Sequence, residues 1–193
     1  MLIKFLRATK RNWDSLVSFL RLLVPRCLGL RTGNGVRVGR GLNWPLGNVR
    51  NIQLDENVVL GKHGWFYLPL QNRTARIHIG AGTAISDYFT ISANESIHIG
   101  KNCLISFRVS ILDHDHVTGL EINPVTSGIA KGEPIEIGEN TFIGTGVVIM
   151  RGVKIGRNCV INANSVVMRS FEDNCIINGS PAKVVMMVGP AVK

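Results

Sequence analysis

The chain reads IGENTF IGTGVV IMRGVK IGRNCV INANSV V from Ile137 to Val167. An aliphatic residue occupies every sixth position of this stretch, and Gly directly follows three of them. A period of six matches neither the two-residue alternation of a half-exposed strand nor the 3.6-residue turn of an α-helix. The stretch therefore predicts a structure built from an internal repeat.

The same spacing occurs three more times upstream, as triplets of apolar residues: Leu54, Leu60 and Phe66; Ile79, Ile85 and Ile91; Ile99, Ile105 and Ile111. We interpret each six-residue unit as a short strand plus a turn. Three units would complete one coil of a triangular prism, whose inward residues stack from coil to coil. Gly or Asn would supply positive φ in the turns, and Asn162 and Asn164 are candidates for such positions.

The repeats and the ending SVVMRSFEDNCIINGSPAKVV (165–185) resemble the hexapeptide-repeat acyltransferases. The resemblance covers about residues 50–187 and is closest to the galactoside/maltose O-acetyltransferase and polysaccharide O-acetyltransferase branch. It implies a left-handed parallel β-helix, a homotrimer, and acetyl-CoA bound as the acyl donor in the groove between adjacent prisms. Sideways association of prisms is physically reasonable, because one narrow prism buries little apolar area per residue.

The six-residue spacing stops after Ile111 and resumes at Ile137, so residues 112–134 form a predicted loop. A long polar loop that leaves a regular scaffold is usually functional. Asp113-His114-Asp115-His116 lies at its base, and a neutral imidazole can take a proton from an alcohol near neutral pH. Acyl transfer to a hydroxyl needs such a base and a main-chain N–H that stabilises the oxyanion.

The resemblance assigns roles to individual residues. The family's catalytic histidine ends the stretch that matches NCLISFRVSILDH (102–114), which indicates His114 as the base. His116 is the alternative base, or contacts substrate instead. Asp113 or Asp115 could orient the ring, and Asp113 is also a candidate substrate contact. The main-chain N–H of Thr145 falls where the family has its oxyanion donor.

Further positions follow from the same match. Gly144, Thr145 and Ala163 would line the groove for pantetheine, and Lys183 in GSPAKVV (179–185) would lie near the nucleotide phosphates or be an ordinary solvated lysine. Phe142 stands where the family commonly has a Trp that shapes the pocket. Ser86 replaces an Asn that contacts the acceptor in sugar acetyltransferases. Asp87, which follows it, either hydrogen-bonds a sugar or is a turn residue.

The N-terminal segment differs from the rest of the chain in charge. Residues 1–50 contain ten Lys/Arg and one acid, whereas the remaining basic and acidic residues balance. Apolar residues at three- and four-residue intervals predict an amphipathic helix that ends at Pro25: Leu2, Phe5, Leu6, Trp13, Leu16, Val17, Leu20 and Leu23. This helix packs on the body or a neighbouring subunit, or residues 1–24 contact an anionic membrane. Charges interrupt every apolar run, so a membrane span and a signal peptide are not expected.

Other residues exclude competing functions. The 45% hydrophobic content rules out a disordered chain, and four dispersed cysteines favour a reducing compartment over a disulfide framework. His78 and His98 occupy the same place in successive repeats and predict an outward surface ladder rather than a metal site. The basic segment carries no nucleic-acid motif, so no nucleic-acid partner is expected.

Together these observations predict an all-β protein: a left-handed parallel β-helix over 31–187, an amphipathic helical segment over 1–30, and a short helical tail over 188–193. The function that the resemblance favours is acetyl-CoA-dependent O-acetyl transfer to a sugar hydroxyl, of a bacterial surface polysaccharide or its precursor. The alternatives are N-acyl transfer to an amino sugar and a non-catalytic β-helix assembly subunit. The expected location is the cytoplasm, with peripheral contact at the inner face of the cytoplasmic membrane.

Overall fold

The computed structural model describes residues 16–189. Three sheets, parallel except for a hairpin at the C-terminal end of one of them, enclose a triangular prism, and the coils contribute short strands to the sheets in turn. The strands are numbered β1 to β19 in chain order, and each face of the prism is named here by a feature of its own.

The charged face has six strands: β1 (Arg31–Thr32), β3 (Ile52–Leu54), β6 (Arg76–Ile79), β9 (Ser96–Ile99), β12 (Ile135–Ile137) and β15 (Lys154–Ile155). The hairpin face has eight: β2 (Arg37–Val38), β4 (Val59–Leu60), β7 (Ala84–Ile85), β10 (Leu104–Ile105), β13 (Phe142–Ile143), β16 (Val160–Ile161), β18 (Cys175–Gly179) and β19 (Ala182–Met187). The short face has five: β5 (Trp65–Tyr67), β8 (Thr90–Ser92), β11 (Ser110–Leu112), β14 (Val148–Ile149) and β17 (Val166–Val167).

The core consists of three apolar columns, one behind each face. On the hairpin face, strand register aligns Leu60, Ile85, Ile105, Ile143 and Ile161 from coil to coil. Every apolar residue of the six-residue spacing from Leu54 to Val167 is buried. The predicted prism is therefore confirmed, and the stacked columns supply the burial that stabilises it, at about 1.5–3 kcal/mol per buried aliphatic side chain.

The turns differ in one respect from the sequence prediction. Positive φ falls on the third residue after most inward aliphatics, as at Asn164 (59°) and Gly146 (70°), and Asn162 does not adopt it. The glycine that directly follows the aliphatic is needed for a different reason. A Cβ on Gly138 would approach the main-chain N of Arg157, in the next coil, to 2.5 Å. These glycines therefore allow the corners of successive coils to stack closely.

Helix α1 is helical from the first described residue, 16, to residue 27. The prediction that it ends at Pro25 is wrong by two residues. The Gly29 N–H donates to Arg26 O and the Leu30 N–H to Pro25 O, with Gly29 at a φ of 102°. This pair of hydrogen bonds is a Schellman motif, so the glycine and not the proline ends the helix. Leu2, Phe5, Leu6 and Trp13 lie outside the described residues.

The short helical tail predicted for the C-terminus is not found in the described part of the chain. Strands β18 and β19 form an antiparallel hairpin that extends the hairpin face, and Val188 and Gly189 have no regular structure. Residues 190–193 lie outside the description. The run of β-branched and Met side chains over 182–187 favours a strand. No helix within residues 16–189 is long and apolar enough to cross a bilayer.

Candidate active site

The predicted loop leaves the prism directly after β11 and returns at β12, so it spans residues 113–134. Its first residues lie at the corner where the short face turns into the charged face, which we call the His114 corner. The two arms of the loop are joined at its base, since the Glu133 N–H donates to Asp113 O over 2.8 Å and the Ala130 N–H to Asp115 O over 2.8 Å. The DHDH segment is therefore held against the returning arm of the loop.

Asp113 is a buried carboxylate with an exposed fraction of 0%. Its Oδ1 accepts the Asn94 N–H (2.7 Å), its Oδ2 accepts the Glu95 N–H (2.8 Å), and Oδ1 also lies 2.8 Å from His114 Nδ1. The two amides already donate to the carboxylate, so it acts as an acceptor and the Nδ1 of His114 must carry the hydrogen. From the sequence, either Asp113 or Asp115 could orient the His114 ring. In the structure it is Asp113 that contacts the ring. Because it is fully buried, direct contact of Asp113 with a substrate is not supported.

This bond fixes the chemistry of His114, whose side chain is only 9% exposed. With Nδ1 protonated, the neutral ring has its free lone pair on Nε2. Nε2 lies 3.5 Å from Ser92 Oγ, and the Tyr67 ring centroid is 6.2 Å from that of His114. An oriented imidazole with one available lone pair is the arrangement that general-base catalysis requires.

Sequence reasoning missed Ser92, Tyr67 and Asn94. Ser92 could have been found from the repeat. It follows the inward Ile91 as Leu112 follows the inward Ile111, so it lies beside the end of the strand that leads to His114. The Asn94 side chain donates to Ala130 O over 3.1 Å. This hydrogen bond joins two distant parts of the chain, so no local sequence pattern predicts it.

Asp115 and His116 have other environments. Arg151 bridges both arms of the loop, with Nε 3.1 Å from Asp115 Oδ2 and an Nη1 hydrogen bond of 2.8 Å to Glu133 Oε1. His116 is exposed and pairs by its backbone with Ile129. It borders an open depression with Thr118 and Arg151. His116 thus has the exposure of a substrate contact and lacks the buried carboxylate that orients His114.

Thr145 lies at a different corner, where the hairpin face turns into the short face; we call it the Thr145 corner. Its Oγ1 hydrogen-bonds Ser106 Oγ over 2.8 Å, and within residues 16–189 its N–H donates to no main-chain acceptor. One face separates it from the His114 corner, roughly 20 Å for six extended residues. The family resemblance assigned His114 and Thr145 to one site, and a single chain does not bring them together.

The remaining candidates for the donor groove follow the Thr145 corner toward the C-terminus. Strand register aligns Thr145 with Ala163 and then Gly179, and Lys183 pairs with Asn178 beside them. Thr145, Ala163 and Lys183 are exposed. Gly144 is instead buried, and a Cβ there would lie 2.6 Å from Ala163 N. Coil stacking therefore explains Gly144, and a role as groove lining is not supported.

Ser86 and Asp87 lie on the Thr145 corner two coils nearer the N-terminus, which corresponds to about 10 Å. Asp87 Oδ1 accepts the Lys62 N–H over 2.7 Å, so at least one carboxylate oxygen serves the turn. Phe142 projects outward from β13 and is exposed. These three residues flank the Thr145 corner and are far from the His114 corner of the same chain.

His78 and His98 form the predicted outward ladder on the charged face. Their Nδ1 atoms are 3.0 Å apart, and His78 Nε2 lies 2.9 Å from Asp55 Oδ2. Burial and the charge of His78 lower the pKa of His98. Burial raises the pKa of Asp55, but hydrogen bonds from Gln53 and His78 outweigh it and lower that pKa. In the described part of the chain, no cluster of three or more His, Cys, Asp or Glu is suited to a metal ion.

Residues 134–169 match the model of a protein family described as bacterial transferase hexapeptide (six repeats). Nodulation protein L of Rhizobium meliloti is 35% identical over an alignment of 124 residues, and the match covers 55% of this chain and 68% of that protein. The putative lipopolysaccharide biosynthesis O-acetyl transferase WbbJ of Escherichia coli is 33% identical over 108 residues, 52% of this chain and 55% of its own length. The chain belongs to the hexapeptide-repeat transferase family, and its prism is the left-handed parallel β-helix of that family.

A solved structure supports the same assignment. The hexapeptide-repeat acetyltransferase of Vibrio cholerae, complexed with acetyl-CoA, superposes with a TM-score of 0.60 and 26% identity, over 70% of each chain. The chain spans about half the length of most curated relatives that it matches.

Proposed function

We propose that the protein is an acetyl-CoA-dependent O-acetyltransferase that acts on a sugar hydroxyl, of a bacterial surface polysaccharide or its precursor. The observation that carries the proposal is the Asp113–His114 pair, in which a buried carboxylate leaves Nε2 of the imidazole as the available base. Membership of a transferase family supports it, as do a relative named for O-acetyl transfer and a structural neighbour that holds acetyl-CoA.

The reaction follows from this arrangement. Nε2 of His114 takes the proton of the acceptor hydroxyl while the hydroxyl oxygen attacks the thioester carbonyl carbon. The Thr145 N–H stabilises the oxyanion of the tetrahedral intermediate, a contribution typically of about 3–4 kcal/mol. The C–S bond then breaks, the CoA thiolate leaves, and the imidazolium returns the proton to it. The products are an acetyl ester and CoA.

A homotrimer would complete the site. If the three prisms lie parallel to the threefold axis, a given residue has the same position along that axis in every copy. His114 follows β11, and Thr145 lies one coil further on, about 5 Å in height. The His114 corner of one copy can therefore face the Thr145 corner of its neighbour. Exposed apolar side chains around the Thr145 corner suit such an interface: Tyr88, Leu104, Phe107 and Phe142.

The Thr145 corner also offers separate paths for the two substrates. An extended pantetheine chain would run past Thr145 and Ala163 toward Lys183, whose ammonium group suits the nucleotide phosphates. The acceptor sugar would lie in the opposite direction, toward Ser86 and Asp87. His116 on the loop would contact the acceptor from the neighbouring copy.

The test is CoA release from acetyl-CoA across a panel of sugars and oligosaccharides, with purified full-length protein. An O-acetyl product is expected, and mild alkali should hydrolyse it. A product that resists alkali would assign the N-acyl alternative. No CoA release with any acceptor, together with no acetyl-CoA binding by calorimetry, would instead favour the non-catalytic assembly subunit.

The cytoplasmic location proposed for the protein follows from the use of acetyl-CoA. The membrane contact expected for residues 1–24 is a separate proposal, because it involves none of the residues assigned to acyl transfer.

A further inference from the structure

Helix α1 has an apolar side that the described part of the chain, residues 16–189, leaves exposed. Ser18, Leu22 and Pro25 are buried, and Ser18 Oγ accepts the Val38 N–H over 3.2 Å, so this side packs on the first coil. At 100° per residue, the opposite side of the helix should be polar if the helix served only as a cap. It is instead exposed and apolar: Leu16, Leu20, Leu23, Val24 and Cys27.

The uncovered side faces away from the end of the prism. Strands β1 and β2 are the edge strands of the charged and hairpin faces, and α1 lies against residues 30–38 of this first coil. The side of α1 opposite to this contact therefore points outward beyond the first coil. We call this surface, made by α1 and the first coil, the capped end.

The capped end is also strongly basic. Residues 16–54 contain six arginines and no acidic residue. Arg31, Arg37, Arg40 and Arg50 are exposed, and none of the ion pairs within residues 16–189 involves them. By contrast, the later coils carry acidic residues among their basic ones, and some of these charges are paired, as in Lys154–Glu136 and Arg157–Asp173.

We propose that the capped end is a docking surface for an anionic lipid bilayer. The outward apolar side of α1 would enter the interface between headgroups and acyl chains, while the surrounding arginines contact lipid phosphates. A second copy of this chain is a poorer occupant, because end-to-end contact would bring two acid-free clusters of six arginines together. The proposal holds whatever group the protein transfers, since none of these residues belongs to the acyl-transfer site.

The experiment is flotation of the full-length protein with vesicles of phosphatidylcholine alone or with 30% phosphatidylglycerol, an amount chosen as roughly that of an anionic bilayer. Flotation is expected only with the anionic vesicles, and high salt should weaken it. The double variant Leu20→Glu/Leu23→Glu should abolish it, because two charges enter the apolar side. The double variant Arg37→Gln/Arg40→Gln should lower the partition coefficient roughly tenfold or more.

Matched controls change the same residue types elsewhere on the surface. Leu120→Glu/Val125→Glu at the exposed loop tip and Arg157→Gln/Arg169→Gln in the last coils of the prism should float as the wild type does. Wild-type protein that stays unbound to anionic vesicles overturns the proposal, as does equal flotation of Leu20→Glu/Leu23→Glu. If that variant instead lowers the molar mass measured by light scattering and the wild type does not float, the surface joins copies of the chain and the proposal fails.

Discussion

Nδ1 of His114 lies 2.8 Å from Oδ1 of Asp113, and both carboxylate oxygens of Asp113 also accept main-chain N–H groups. The carboxylate thus has two tasks. It joins the β11 end to the preceding coil, and it selects the histidine tautomer that leaves the Nε2 lone pair available, as the proposed base requires. Substitutions at Asp113 should therefore affect both stability and catalysis, whereas substitutions at the histidine should affect catalysis alone.

Asp113→Asn should reduce kcat by about 10²–10⁴-fold, because an amide can present its NH₂ group to Nδ1 and stabilise the wrong tautomer. It should also cost about 1–3 kcal/mol in the free energy of unfolding, since one oxygen that accepts a main-chain N–H is lost. Steady-state kinetics and chemical unfolding measure the two effects. Asp115→Asn is the matched control and should retain the stability, because Asp115 is partly exposed.

His114→Ala should lower kcat by at least about 10²-fold, the usual contribution of a general base, with little change in melting temperature. The reason is that Nε2 is the only atom of the pair that is free to accept the substrate proton. His116→Ala should change mainly the KM of the acceptor. Equal loss of kcat in both variants would argue against the assignment of the base, and full activity of His114→Ala would refute it.

The fold could be predicted from the sequence because its stabilising contacts repeat. One inward aliphatic residue per six satisfies the same packing requirement in each coil, so the spacing of Ile79, Ile85 and Ile91 already defines a coil. The glycines were harder to interpret. From the sequence, glycines such as Gly138 and Gly144 suggested turns with positive φ. In the structure they are needed because main-chain atoms of the next coil leave no room for a Cβ.

The site was less predictable, because it depends on contacts that do not repeat. Asp113 and His114 could be recognised from their position at the break in the spacing. The amides that hold Asp113 come from Asn94 and Glu95, about twenty residues away, and nothing local marks them. The separation of His114 from Thr145 follows from which corner each occupies, which requires the coil register.

Arg151→Gln should raise the KM of the acceptor several-fold and lower kcat, because Arg151 connects Asp115 and Glu133 on the two arms of the loop. The melting temperature should hardly change, since exposed ion pairs contribute about 0–1 kcal/mol. Arg157→Gln is the matched control, because it removes the exposed Arg157–Asp173 pair far from the loop. Similar kinetics for the two variants would show that the ion pairs of Arg151 with Asp115 and Glu133 are not needed for activity.

The histidine ladder should make stability depend on pH. The pKa of His98 is lowered in the folded state, first by burial and then by His78, against opposing charges on Glu136 and Asp55. As pH falls below the ordinary value of 6.5, the unfolded chain binds a proton that the folded chain does not, so the free energy of unfolding decreases. The lowered pKa of Asp55 adds a further loss, but only below pH 3.8.

His98→Gln should therefore flatten the pH dependence of stability between pH 7 and about pH 5, measured by urea unfolding. His116→Gln, on the exposed part of the loop, serves as the control and should keep the wild-type slope. An unchanged slope in His98→Gln would show that the ladder does not titrate in this range.

A site shared between copies makes a quantitative prediction. His114→Ala removes the base, and Ala163→Trp fills the exposed corner along which the pantetheine chain would lie, so each homotrimer should be inactive. In a mixed trimer, one interface pairs the intact His114 corner of one copy with the intact Thr145 corner of its neighbour. One of the three interfaces in each mixed trimer is then intact, so isolated mixed trimers should show about a third of the wild-type activity, and the unfractionated random mixture about a quarter.

The restored activity separates a shared site from a site within one chain, because no exchange of subunits can repair the latter. The two variants should be co-expressed with different tags, and the mixed trimers isolated by tandem affinity steps before CoA release is measured. A sample mixed only after purification, under conditions where subunits do not exchange, should stay inactive. Inactive mixed trimers of correct mass would mean that His114 and the Thr145 corner do not act across an interface, because each mixed ring contains one interface with both parts intact.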